Sequence, residues 1–214
     1  MSVMNGFRDE LTKRLLGING HLNIFSNSSE ITIKEIDFLK TIEGDFNLIP
    51  VTQTQALLIA DNYSQGVILK GYNNNFINDS HFLNQNIVEG SLFEESINDA
   101  VIGYALANKL SLGINDKFKI AIPKTDKTIF GNIPRFKTLN IIGIFDLGMY
   151  EYDSNFIFTN SKIANKLLLI NETSFNEIEI FTKDPSQIEK IQEKINLLIN
   201  KNNLNLYTFS WKEK

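Results

Sequence analysis

In the stretch MYEYDS, Glu151 and Asp153 stand two residues apart, and paired carboxylates are what general acid and base work asks for. Such a pair functions only if its surroundings keep one carboxyl protonated and the other ionised. Alternating carboxylates just ahead of a strand are more often solvated or capping groups, so the structural reading outweighs the catalytic one. His21, within HLNIF, has apolar neighbours; a hydrogen-bonded structural histidine is favoured there over a ligand, because zinc needs several donors at once. His81 lies in a polar stretch with no fixed partner. The chain holds no cysteine, which excludes disulfides and thiolate metal sites. Gly103 and Gly113 stand too far apart to cradle a phosphate. No catalytic, metal-binding or cofactor-binding residue is assigned, and nothing among these residues asks for an enzyme.

The elements that would position these residues read as a mixed α+β order. A chain of 214 residues, 43% of them apolar, can bury a real core as one large domain or two small ones. A net charge of -4 from 21 basic and 25 acidic residues, scattered along the chain, argues against a nucleic-acid surface. No stretch of the sequence approaches the ~18 apolar residues of a membrane helix. HLNIF (21–25) predicts a strand, and TIKEIDFLKTIEG (32–44) a helix with a Thr32–Glu35 capping box, ended by Gly44. LIPVTQTQALLIAD and GVILKGY flank NYSQ as a hairpin. A strand to Ile102, a short helix over Ala105 to Leu110 and a turn at Asn115-Asp116 follow. In the next strand Phe118, Ile120 and Ile122 alternate with Lys117, Lys119 and Ala121, so one face is core and the other is wet.

The stretch KTDKTIFGNIPRFK (124–137) breaks this periodicity before TLNIIGIF resumes a strand. Its Gly131 and Pro134 suggest a long hairpin arm in place of a tight turn. LGMYEYD is then a connection, NFIFT a strand, SKIANKLLLI a helix and NEIEIFT a strand. DPSQIEKIQEKINLLIN is a helix capped by Asp184, with Pro185 in its first turn and a stripe of Ile188, Ile191, Ile195 and Leu198. LNLYTF closes as a strand. The last third can layer with the first strand and helix, leaving the strand-rich middle as an insertion.

At the start, Val3, Met4, Phe7, Leu11 and Leu15 in MSVMNGFRDELTKRLLGINGHL make one apolar stripe on a helix whose N-terminus carries no cap. Two readings stand: a frayed amphipathic helix, or a longer helix that has been cut.

Three stretches together resemble the LolC/LolE/LolF family, the permease subunits of lipoprotein-releasing ABC transporters, within the wider MacB-like group. They are MSVMNGFRDELTKRLLGINGHL, VIGYALANKLSLGINDKFKIAIP and FGNIPRFKTLNIIGIFDLGMYEYDSNFIF, and the likeness covers nearly the whole chain. The resemblance implies a MacB-like periplasmic core domain between two transmembrane helices. It has a mixed α/β Porter-like layer over residues 1–55 plus 155–214 and a strand-rich Sabre-like insertion over 56–154. It makes the uncapped start a cut, and expects one apolar span before Met1 and three after Lys214 in the complete protein.

The family's function, carried over as implication, is to extract lipoproteins from the inner membrane and hand them to the periplasmic chaperone LolA. The ATPase is a separate cytoplasmic subunit, LolD, and a second permease subunit completes the complex. The family's chaperone-binding hook falls on Lys124 to Arg135, with Ile129, Phe130, Gly131, Asn132, Ile133, Pro134 and Arg135 as its contact residues. Gly131, Ile133 and Pro134 match the pattern; Phe130 stands where LolC carries Met, Ile129 replaces a Pro, and the loop is one residue shorter. The neighbouring pad falls on Lys119, Phe136 and Lys137. The alternatives are another MacB-like exporter of peptides or toxins, an activator of cell-wall hydrolases, or a stand-alone periplasmic binding domain or hydrolase.

Overall fold

In KFKIAI the alternation is borne out for five of six residues: Phe118, Ile120 and Ile122 are buried and Lys117 and Lys119 exposed, while Ala121, expected on the wet face, is buried between its strand partners Leu57 and Phe136. The computed structural model describes residues 17–61, 63–73, 81–92, 98–128 and 131–213. The expected helix bearing the Val3 to Leu15 stripe lies outside them; Gly17 and Ile18, which follow it, are helical. Along the chain run β1 (Leu22–Ser26), α1 (Ile33–Lys40), β2 (Phe46–Ala60), β3 (Tyr63–Tyr72), α2 (His81–Gln85), β4 (Ile87–Gly90), β5 (Asp99–Gly103) and α3 (Tyr104–Leu110). There follow β6 (Lys117–Thr128), β7 (Gly131–Phe145), α4 (Tyr150–Asn155), β8 (Phe156–Asn160), α5 (Ser161–Leu168), β9 (Glu177–Thr182), α6 (Ile188–Lys201) and β10 (Leu206–Ser210).

Two compact units divide the chain: Met1–Pro50 with Thr173–Lys214, and Val51–Glu172. Residues 155–172, expected in the first layer, belong to the second unit. The reason is hydrogen bonding, since β8 pairs with β3 on one side and β5 on the other.

In the first unit β1 is the middle strand, antiparallel to both β10 and β9. Leu22, Ile24, Ile178, Ile180 and Leu206 of this sheet share a buried cluster with Ile36 and Leu39 of α1 and Ile188, Ile195 and Ile199 of α6. The capping box of α1 is present: the Glu35 amide donates to Thr32 Oγ1 at 3.4 Å and the Thr32 amide to Glu35 Oε2 at 2.8 Å. The helix ends at Lys40, ahead of Gly44, because the Thr41 hydroxyl donates to the Phe38 carbonyl and takes up one of the last-turn acceptors. Asp184 caps a short 3-10 turn at Pro185–Gln187 that leads into α6, its carboxylate accepting from the Ser186 amide at 3.0 Å.

The second unit is a closed barrel. Its strands follow the order β2-β3-β8-β5-β7-β6, and β6 returns to β2 through Leu57↔Ala121, Leu58↔Ile120 and Ile59↔Lys119. Closure leaves none of these six strands as an open edge along that stretch, and β4 adds outside on β7. In the β2–β3 hairpin Ala60 pairs with Tyr63, so Tyr63, Ser64 and Gln65 of the expected NYSQ turn are strand. Inside the barrel Leu58, Leu69, Ile102, Ile120, Leu139 and Ile157 meet Leu106 and Leu110 of α3 and Ile163 and Leu167 of α5. Helix α5 packs against β3, β6, β7 and β8.

Candidate functional site

The arm is a continuation of the barrel wall. The β6–β7 ladder runs from Lys117↔Asn140 out to Thr128↔Gly131, with one register shift between Ile122 and Thr125. Strand pairing therefore replaces the expected fourteen-residue unpatterned link, and two residues, Ile129 and Phe130, join the strands; both lie outside the described residues. Hydrophobic alternation reports the burial of one face. Ladder pairing is a backbone property that Thr125, Asp126 and Lys127 sustain without it. Pro134 pairs with Thr125 directly beyond the register shift, a place where a missing amide is tolerated.

At the root, the assigned residues part company. Arg135 is opposite Ile122 and half-buried, and its Nη1 donates to the Leu167 carbonyl of α5 at 2.6 Å. Phe136 is 59% exposed, so its ring is available to a partner. It sits opposite Ala121, which in turn is opposite Leu57, giving an apolar row across three strands. The Lys119 ammonium lies 5.9 Å from the centre of the Phe136 ring, within cation–π range. Lys137 pairs with Ile120 and so projects to the other side of the ribbon from Lys119, which pairs with Thr138. The structure joins Lys119 with Phe136 and separates both from Lys137. Beside the root opens a largely apolar groove of about 920 Å³ lined in part by Leu57, Ile59, Ala121, Ile122, Pro134 and Phe156.

The carboxylate pair resolves into a structural device. Tyr150–Asn155 is a helix where a connection was expected, and residues two apart on a helix face different ways. Glu151 is exposed; Asp153 is buried, its carboxylate accepting from the Leu147 amide at 2.8 Å and the Met149 amide at 2.9 Å. Burial pushes the Asp153 carboxyl above its ordinary range, the two amides pull it back, and neighbouring Asp146 raises it further. The backbone of α4 is pressed against β5: a Cβ added at Gly103 would stand 2.1 Å from the Asp153 carbonyl oxygen. His21 is buried, its Nδ1 accepting from the Thr182 amide at 3.0 Å, with an edge contact to Phe181. His81 opens α2. Among the described residues no three or more His, Asp or Glu side chains form a metal-holding group, and no helix is long and apolar enough to cross a membrane.

Sequence reasoning missed two features of the site. The Arg135–Leu167 contact spans 32 positions, with no local signal. Leu57, read only as part of a strand, becomes the third member of the outer apolar row; its 39% exposure amid alternating buried residues is the trace it leaves.

The chain thus has two units, a barrel carrying a strand-paired arm and a helix-backed sheet. The family model of the MacB-like periplasmic core domain matches residues 1–198, and the chain belongs to that family. Among characterised relatives, the lipoprotein-releasing system transmembrane protein LolC of Buchnera aphidicola is 30% identical over 218 aligned positions, covering 100% of this chain and 52% of the relative. LolC of Neisseria meningitidis is 27% identical over 183 positions, covering 80% of this chain and 42% of the relative. The chain thus spans about half the length of these relatives. Two crystal structures share the fold. The periplasmic region of MacB from Actinobacillus actinomycetemcomitans has a TM-score of 0.58 at 13% identity, covering 92% of this chain and 94% of that one. The extracellular domain of the ABC-type transporter YknZ from Gram-positive bacteria has a TM-score of 0.55 at 14% identity, covering 88% and 99%. This is a family of periplasmic core domains, and membership assigns the chain no catalytic role.

Proposed function

We propose that this chain is the periplasmic domain of a permease subunit in a lipoprotein-releasing ABC transporter of the inner membrane, and that its β6–β7 arm delivers lipoproteins to a LolA-type periplasmic chaperone. The observation that carries the reading is the arm: a ladder paired as far as Thr128↔Gly131, closed by the apolar pair Ile129-Phe130, in a chain whose relatives are LolC proteins. In this reading residues 129–134 enter the chaperone's cavity and Lys119 with Phe136 forms the pad at the arm's root. The flanking membrane helices, a second permease subunit and a LolD-type ATPase lie outside this chain, and the two units correspond to Porter and Sabre. Exposing an aromatic tip to water is costly, and exposed apolar patches mark contact sites.

Full burial of the Phe130 ring contributes roughly 1.5–3 kcal/mol. Phe130→Ala is therefore expected to weaken binding by about ten-fold to a hundred-fold at ~1.4 kcal/mol per decade. Titration of purified LolA-type chaperone against the wild-type and Phe130→Ala chains, with thermal melts alongside, tests this. Equal affinities remove the tip from the interface. A large fall in melting temperature assigns Phe130 to a core instead of a contact.

A further inference from the structure

We propose that Arg135 is a positioning residue: its guanidinium ties the root of β7 to the C-terminal end of α5 and so sets the direction in which the arm leaves the barrel. The proposal rests on the reading of the arm as the chaperone-binding element, and it changes the role that the family pattern gives Arg135, from contact to clamp.

The location of Arg135 is what makes a clamp useful. Ile122↔Arg135 is the last pair before the ladder shifts register; the next is Thr125↔Pro134, so Pro123 and Lys124 have no counterparts on β7. Unpaired residues on one strand bend and loosen a ribbon, which makes this the arm's natural hinge. On the barrel side Ile122 is buried, fixing β6 up to that point. On β7, Pro134 and Phe136 on either side of Arg135 are exposed, and the nearest buried side chain toward the barrel is Leu139.

The acceptor is suited to the task. Leu167 lies in the last turn of α5, where helix carbonyls lack intrahelical partners, and the chain leaves the helix through Leu169 at φ 56°. The Leu167 side chain is buried in the barrel core, so its carbonyl is held by the barrel itself. A cation at a helix C-terminus is also favoured by the helix dipole. The 2.6 Å bond directs the guanidinium toward α5. A guanidinium offers five donors in a rigid fork; an ammonium is a point charge on a flexible stem and holds direction less well.

The chain has no cysteine, so two nitroxide labels can be placed cleanly, at Asn132→Cys on the arm and Lys109→Cys on the exposed side of α3. Pulsed electron spin resonance then reads the distance distribution without chaperone present. Arg135→Ala is expected to broaden or shift the distribution while the melting temperature stays near the parent value, with Arg135→Lys intermediate. In unlabelled chains the same Ala variant should bind LolA-type chaperone roughly ten-fold more weakly, the scale of one charge-assisted hydrogen bond. An unchanged distribution in Arg135→Ala overturns the clamp, whatever the affinity does. If that variant fails to fold, Arg135→Lys and Arg135→Gln are measured in its place, and parent-like distributions in both overturn it. A broadened distribution with chaperone affinity unchanged in both the Arg135→Ala and Phe130→Ala chains leaves the clamp standing and removes the chaperone reading.

Discussion

Lys119 and Lys137 lie on opposite faces of one ribbon: Lys119 is paired with Thr138, and Lys137 with Ile120. Only Lys119 shares a face with the exposed Phe136 ring, so the two lysines do not form a single basic patch.

The lysines should therefore act unequally on a partner with an acidic rim. Lys119→Glu is expected to slow association with a LolA-type chaperone by up to roughly five-fold at low salt and to flatten its salt dependence. Lys137→Glu should change the rate much less. Stopped-flow association rates at two ionic strengths check this. Equal effects from the two exchanges would show that the partner grips both faces of the ribbon.

Asp153 should make the stability of the barrel unit depend on pH in the direction opposite to a salt-bridged carboxylate. Burial raises its folded-state value above the ordinary range, so between the unfolded and folded values the native state binds the extra proton. Stability is accordingly highest at the acid end of that window, declines as pH rises through it, and is level above it. In Asp153→Asn one oxygen and one amide group replace two acceptors. One of the Leu147 and Met149 amides is then stranded, at a cost of about 1–3 kcal/mol near neutral pH, and the Asp153 contribution to the pH slope disappears. Urea melts from acid to neutral pH on both chains are the measurement, and an undiminished slope in the variant would assign the titration elsewhere.

Gly103 should tolerate no side chain. Its backbone is not in a glycine-only conformation, at φ -74°, so the obstacle is space: the added Cβ meets the Asp153 carbonyl carbon at 2.5 Å as well as its oxygen. Gly103→Ala must push α4 off β5, with an expected loss of about 1–3 kcal/mol. Because Asp153 orders the same helix, the effects of Gly103→Ala and Asp153→Ala should be less than additive. A denaturation midpoint unchanged by Gly103→Ala would mean that α4 is free to move away.

Much of this fold is written locally. Ile36 and Leu39, one helical step apart behind a Thr32–Glu35 box, define α1; Phe118, Ile120 and Ile122 define a half-buried strand; Asp184-Pro185 starts the last helix. Each pattern reads out one element's own periodicity and end groups, which need no knowledge of its neighbours. Gly131 and Pro134 mark a long hairpin arm from sequence alone, whereas its tip at Ile129-Phe130 is named only through the family resemblance. The Tyr150–Asn155 helix was missed because it is short and held by Asp153's bonds to Leu147 and Met149, a signal that looks like an acid/base pair when only residue types are visible.

What the tertiary structure alone decided is how strands meet. The return of β6 to β2 joins Leu57 to Ala121, 64 positions on, and makes a barrel out of what reads as an inserted run of strands. The placement of β8 and α5 in that barrel, and the reach of Arg135 to Leu167, follow from the same closure. The side on which each pad residue projects depends on register. Partners along β6–β7 differ in parity, as in Ile120↔Lys137 and Lys119↔Thr138, so Lys119 and Lys137 are opposed. With the same register shift, a tip one residue longer would pair residues of like parity and bring both lysines to one face, because side chains alternate along a strand and a slip of one position inverts them all.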